Sequence, residues 1–457
     1  MSEQTISARP AEPMFSRDAL VRLIIPLVIE QLLLMTVGMA DTVMVTTCGE
    51  AVVSGVSLVD NINTLIIQIF TALSTGGAVV VAQYLGRGEQ QGARLAAKQL
   101  LYTMTGISTV LMLLALVLRQ HILSLVFGQV EPAVMESALE YFLITAAAYP
   151  FMGIYNAGAA LFRAMGNSKV SMVNSLIINI INIGVNALCI YGFNMAAAGA
   201  GVGTLVSRIA AAVIIMVMLR HPGLTLRVDD VFHFEFNGSM VRRILFIGIP
   251  NGMENGMFQV GKLLVLNLIT TFGTSAVAAN AISNSITGVM NVPGAAMGLA
   301  IITVIGQCMG AGDVKQAERY TKLLVGASYA CTALMAVVLF FSTDMLVTLF
   351  NLSPEAMGMA SEVLQAYAIA SALFWPMAFT LPNSLRAAGD AVFTMIISLA
   401  SMFICRVLCS YVFACDWGLG WGLFGVWMAM FADWVVRGVF FFFRYLKGGW
   451  KHIHVID

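Results

Sequence analysis

Three observations predict an all-α polytopic membrane protein with twelve transmembrane helices in two repeated six-helix halves. Composition comes first: 59% of the 457 residues are hydrophobic and 11% are charged, against roughly 25% charged in soluble domains. So little polar surface cannot cover a soluble globule, and lipid must act as solvent for most of the chain. Second, the basic residues fall almost entirely on one side of the predicted membrane. Third, several motifs recur in the second half of the sequence.

Breaking the apolar runs at charge clusters and at Gly or Pro turns gives the twelve spans. Each has the ~20 residues a crossing needs, and several are long enough to tilt or kink. Span 1 (20–47) closes at Gly49, and span 2 (51–83) runs into the charged turn "AQYLGRGEQQGAR", Ala82–Arg94. Span 3 (99–118) stops at Arg119, and span 4 (137–162) ends in "LFRAMGN", Leu161–Asn167. Span 5 (168–193) is rich in Asn, and span 6 (199–219) opens on "GAGVGTLVS". The second half supplies spans 7 to 12 at 244–270, 275–307, 322–342, 358–385, 391–414 and 421–444. Domain boundaries follow: an N-terminal segment 1–19, a first lobe 20–219, a linker 220–243, a second lobe 244–445 and a tail 446–457.

With both ends on one side, that side collects nineteen of the 24 Lys and Arg, from Arg9 to Lys451 and including Arg163 and Arg386. The other side keeps only Arg119, and four bases lie inside spans. One missed helix would invert every later loop, so the split supports the map. The positive-inside rule then places both termini in the cytoplasm, as expected of a multi-pass protein of the cell (inner) membrane.

The repeat has a constant offset of 224: "PLVIE" at Pro26–Glu30 returns as "PNGME" at Pro250–Glu254, and Ala82–Arg94 returns as "GQCMGAGDVKQAE" at Gly306–Glu318. "LFRAMGN" returns as "SLRAAGD", Ser384–Asp390, shifted by one. Six spans carry each half to the same side, so the halves are parallel repeats. Transporters of that plan bind substrate near the midplane between the halves.

Charges inside spans point to function, because an ionised side chain in hydrocarbon costs ~2.5–3.5 kcal/mol or more. Glu30 and Asp41 are eleven residues apart, about three turns, and so share one face of span 1 at ~16 Å separation. Both could instead pair with buried bases merely to hold helices together. Asp41, Asn186 and Thr204 lie at similar distances from the outer ends of spans 1, 5 and 6, and so can meet at one depth. A carboxylate with amide and hydroxyl oxygens suits an alkali cation, and the carboxylate alone can take a proton. Asn179, Asn182 and Asn186 share one face of span 5, where interhelical packing is the competing explanation. Glu254, the repeat copy of Glu30, is expected to line a cleft with Glu30 from the opposite side. Asp60 is a further cleft candidate, and its repeat partner is the neutral Asn284. Such an acidic cleft, with adaptable Met and Phe, would suit organic cations.

Pro26 and Pro250 stand inside spans 1 and 7, where a missing backbone donor lets a helix bend. Arg208 follows Thr204 by one turn and is expected to neutralise Asp41 or Glu30. That competition with a metal ion favours a proton over Na⁺ as coupling ion. Asp433 and Arg437 stand at i, i+4 in span 12 and are expected to pair. Lys262 has no local partner and is either a tie to a cleft carboxylate or a mobile charge.

These residues resemble the multidrug and toxic compound extrusion family: the Pro and Asp of span 1, the "AQxxGxG" turn and its copy, "RAxGN" after span 4, the Asn-rich span 5 and the opening of span 6. The resemblance implies two pseudo-symmetric six-helix lobes around a central cleft, and export of amphipathic, often cationic compounds driven by inward Na⁺ or H⁺. It further implies a first-lobe cation site at Asp41, with Asn182 and Asn186 on span 5 and Thr204 on span 6. Asn186 stands where many relatives keep a carboxylate, which leaves the ion open between H⁺ and Na⁺.

The sequence excludes several classes. It has no phosphate-cradling Gly-Lys-Ser/Thr loop for ATP-driven work, and its neutral balance of 24 acids and 24 bases suggests no nucleic-acid partner. The seven cysteines form neither a disulfide framework nor a metal-ligand spacing. A cleaved signal peptide is not expected at the polar N-terminus. His452 and His454 are expected in a solvated tail. No cofactor is expected, and the chain should act as a monomer in the bilayer on a small organic substrate. The function predicted is a secondary antiporter working by alternating access. Its rivals are a flippase for lipid-linked substrates, which would want a more basic cleft, and a membrane-embedded transferase, which would want clustered polar loops.

Overall fold

The computed structural model describes residues 13–128, 130–228, 233–350, 352–453 and 455–456. Arg9 and His454 lie outside the described residues. Among these residues the secondary structure is helical throughout, and ten helices are long and apolar enough to cross a membrane. The pair Pro132–Ala147 and Tyr149–Ala164, bent by 47°, makes an eleventh. The twelfth crossing is Gly238–Thr270, long enough but made more polar by Asn251, Glu254, Asn255, Gln259 and Lys262.

Six helices form each half. Spans 1 to 3 are Arg17–Thr46, Glu50–Arg87 and Gln90–Phe127. Span 4 is the bent pair, and span 5 is Ser168–Ala187 with a π turn at Leu188–Gly192. Span 6 is Ala196–Met218, and span 7 is Gly238–Thr270. Span 8 runs through Thr274–Met290 and Val292–Gly310, and span 9 is Val314–Thr348. Span 10 begins as Pro354–Trp375, and span 11 begins as Ala391–Ser401 and widens into a π segment at Met402–Leu408. Span 12 is Gly422–Lys447.

Capping fixes several starts. Ser16 accepts from the Ala19 amide to begin span 1, Asn237 from Met240 to begin span 7, and Ser353 from Ala356 to begin span 10. Each satisfies a donor that the first turn leaves open. Span 2 runs on to Arg87 and span 3 starts from Gln90, both beyond their expected ends, and the charged turn at Gly88–Glu89 is exposed.

The halves grip each other reciprocally on the side where the chain begins and ends. Leu20, Leu23 and Leu27 of span 1 pack with Ala296, Ala300 and Ile301 of span 8. Span 7 in turn lies against span 2 so tightly that a Cβ on Gly76 would be 2.5 Å from the Gly248 amide nitrogen. Small residues permit this approach between membrane helices. The repeated turn motifs complete the contact. Gln83 Nε2 donates to Ala387 O at 2.9 Å, and Gln307 Nε2 donates to Ala164 O at 2.7 Å. The backbones meet there, since a Cβ on Gly86 would be 1.9 Å from Gln307 O and one on Gly310 would be 1.9 Å from Gln83 O. This end of the molecule is sealed. The C-terminal tail docks on it: Trp450 is fully buried and stacks on Tyr445, and Lys451 pairs with Glu318.

Candidate functional site

The first lobe holds a polar cluster in the half that lies away from the termini. Asp41 is half-buried on span 1, and Asn186 Nδ2 on span 5 donates to its Oδ1 at 2.6 Å. The same Asn186 amide donates to Asn182 Oδ1 at 3.3 Å. Both asparagines are buried, so the bond ties spans 1 and 5 together inside the lobe. Asp60 on span 2 accepts from the Tyr141 hydroxyl at 2.9 Å, and Thr204 stands beside that hydroxyl. Asp41 and Asp60 are close enough to interact electrostatically, and Arg208 contributes a positive field to Asp41. One level deeper, Tyr149 donates to Asn63 at 3.0 Å. Asp41, Asn182, Asn186 and Thr204 therefore share one neighbourhood. Sequence reasoning missed Tyr141 and Gly203. A Cβ on Gly203 would lie 1.7 Å from Asn186 Oδ1, so only glycine leaves room for that amide. The glycine-rich opening of span 6 was the available signal.

Arg208 departs from expectation. It makes no ion pair with Asp41 or Glu30 among the described residues, and its Nε is buried without a hydrogen-bond partner. Glu30 is neutralised by a different base. Arg163 Nη1 donates to Glu30 Oε1 at 3.1 Å, and Ser171 Oγ donates to Oε2 at 2.7 Å. Glu254 repeats the arrangement, with Arg386 Nη2 bonded to both carboxylate oxygens at 2.6 and 2.7 Å. Arg163 and Arg386, expected in loops, thus turn inward to balance the two glutamates. The cost of an uncompensated buried charge is the reason. Glu30 and Glu254 consequently do not line a cleft as free acids.

An open cavity of about 620 Å³ lies between the halves, in the half of the molecule away from the seal. Spans 2 and 3 form one wall, and spans 7, 8, 11 and 12 the other. Its charged lining residues are Lys262 and Arg406; Asp60 does not reach it, although Asn61 does. The acidic cleft expected from counting intramembrane charges is therefore replaced by a basic, largely apolar one. Lys262 finds no carboxylate among the described residues. It stands 5.1 Å from the Phe258 ring centroid, and the Arg406 guanidinium stands 4.9 Å from the same ring. Asp433, the nearest acid on span 12, is held by Arg437 at 3.2 Å and by the Ser401 hydroxyl. Pro26 and Pro250 both stand within unbroken helices. Among the described residues no group of three or more His, Cys, Asp or Glu could hold a metal ion.

Comparison with known proteins agrees with this architecture. The family model described as MatE matches residues 26–188 and again 250–412, once per repeat. The chain is 28% identical to "Uncharacterized transporter YisQ" of Bacillus subtilis, over 98% of this chain and 97% of that one. It is 25% identical to "Probable multidrug resistance protein NorM" of Thermotoga maritima, over 95% and 93%. A crystal structure of MATE in the bent conformation superposes with a TM-score of 0.87 at 20% identity, covering 94% of this chain and 94% of that one.

Proposed function

Since the chain belongs to the MATE family of membrane transporters, we propose that it is a secondary antiporter that exports amphipathic small molecules in exchange for an inward cation. It is a transporter and not an enzyme. The carrying observation is the Asp41–Asn186 bond, a half-exposed carboxylate inside the membrane held by a single amide donor. Such a group can be neutralised and re-ionised without dismantling a salt bridge, unlike Glu30 or Glu254.

A proton is the favoured passenger. The side chains facing the two carboxylates offer donors, Asn186 Nδ2 to Asp41 and the Tyr141 hydroxyl to Asp60, with Arg208 nearby. A Na⁺ ion would need oxygens in those directions. Neutralising Asp41 weakens its hold on span 5 and lets span 1 flex at Pro26. The bend alters the first lobe and its grip on span 8, which is how ion release would reach the inter-lobe seal. In this reading both termini face the cytoplasm, the two lobes divide at the 220–243 linker, and the cavity faces outward.

The flippase reading gains one observation, the basic character of the cavity at Lys262 and Arg406. The MatE match over both repeats favours export of a free small molecule.

The test is dye efflux from reconstituted vesicles under separately imposed pH and sodium gradients. A pH gradient alone should drive wild-type efflux, and Asp41→Asn should abolish it at unchanged abundance. Efflux driven only by sodium would reject the proton, and a fully active Asp41→Asn would reject the site.

A further inference from the structure

We propose that the inter-lobe cavity binds an organic anion: an apolar aromatic or aliphatic body with a sulfonate, carboxylate or phosphate head seated between Lys262 and Arg406. The inference rests on the export reading only in taking this cavity as the substrate chamber.

Charge balance around the cavity is uneven. Every buried carboxylate on the second-lobe side is already committed, Glu254 to Arg386, Asp390 to Arg444, and Asp433 to Arg437 and Ser401. Lys262 and Arg406 are left, and neither has an ion-pair partner among the described residues. Arg406 is 8% exposed, and its Nη2 makes one contact, 2.9 Å from Met430 Sδ. Lys262 and Arg406 both stand against the Phe258 ring, and Arg437, itself paired with Asp433, lies 5.9 Å from its centroid. A ring quadrupole offsets part of one desolvated cation; it does not offset repulsion between Lys262 and Arg406, and Asp433, the one carboxylate acting on Arg406, is already shared with Arg437. Arg406 is buried and short of counter-charge, which is costly, and Lys262 stands exposed in the same cavity, so a ligand anion there would meet both.

Geometry points the same way. Lys262 is exposed and lines the cavity, and Arg406 reaches it from the π segment of span 11. The wider turn offsets the register there, as π segments often do at functional sites. Asn284 on span 8 adds an amide, and Leu266, Trp427 and Met430 supply apolar wall. The repeat sharpens the contrast. Lys262 occupies the place of Gly38, and Asn284 that of Asp60. The first lobe thus keeps its carboxylates for a small cation, while the second lobe has exchanged an acid for an amide and gained a base.

Two probes sharing a naphthalene body test the sign: naphthalene sulfonate and naphthyl trimethylammonium, both permanently charged. Radiolabelled binding to the purified full-length chain should favour the sulfonate. Lys262→Met and Arg406→Gln should each weaken it about tenfold, as expected for loss of one charge-assisted contact. Lys262→Glu should reverse the preference, a gain that misfolding cannot produce. Preference for the ammonium in the wild type, or unchanged sulfonate binding in both single variants, overturns the proposal. In vesicles, sulfonate released to water identifies a free anion. Transfer of a tail-labelled phosphatidic acid between leaflets without sulfonate release identifies a lipid headgroup, with the same anionic chemistry. Lys262-dependent binding that no gradient converts to movement upholds the anion site and rejects export. Asp41-dependent export of the ammonium alone upholds export and rejects the anion site.

Discussion

Gly203 on span 6 and Asn186 on span 5 are in such close contact that a Cβ on the glycine would stand 1.7 Å from the amide oxygen. The oxygen is buried with no hydrogen-bond partner, so its position is set by shape and by the amide nitrogen's hold on Asp41. Gly203→Ala should push Asn186 off Asp41 and lower proton-driven efflux as severely as Asp41→Asn. Efflux and abundance measured together check this, and near-normal efflux would show that the Asn186 contact is dispensable.

The Glu254–Arg386 pair predicts an asymmetry in stability. Arg386→Gln strands a buried carboxylate and should destabilise the protein by about 3–5 kcal/mol. Adding Glu254→Gln removes the stranded charge and should recover most of the loss. Thermal unfolding in detergent reads both. The repeat-related Glu30–Arg163 pair should behave alike, with a smaller penalty because Ser171 still serves Glu30.

At the seal, Gly86→Ala places a methyl 1.9 Å from Gln307 O, and backbone cannot yield as a side chain can. The variant should hold the terminal side apart. Cys308, fully buried beneath that contact, then becomes reactive to a water-soluble maleimide when the other six cysteines are replaced. Unchanged protection of Cys308 would mean the seal tolerates the added carbon.

Pro26→Ala restores the missing backbone bond within span 1 and removes its point of flexure. Transport should fall by more than abundance does. Equal loss of both would assign the proline to folding alone.

Much of this architecture was legible from apolar runs, one-sided basic residues and the 224-residue repeat, because lipid imposes helix length and loop charge directly. The meeting of Asp41 with Asn186 was legible from depth counting and from the family resemblance. Pairing was not. Arg163 and Arg386 sit at span ends, where sequence assigns them to water, yet their long side chains reach back to Glu30 and Glu254. That error removed two acids from the cleft and so inverted its polarity. Lys262 and Arg406 decide the cavity's sign only because their would-be partners are occupied, a fact of tertiary packing. Gly203 was hidden for a related reason: its contribution is an absent carbon.

The crossed amides of Gln83 and Gln307 carry a mechanical implication. Each is rooted in one repeat and fastened to the main chain of the other, like two hooks sewn on opposite flaps of a coat. Unfastening one leaves its mate bearing the joint while a carbonyl goes hungry for a donor. Parting the two halves at this joint therefore requires both bonds to break.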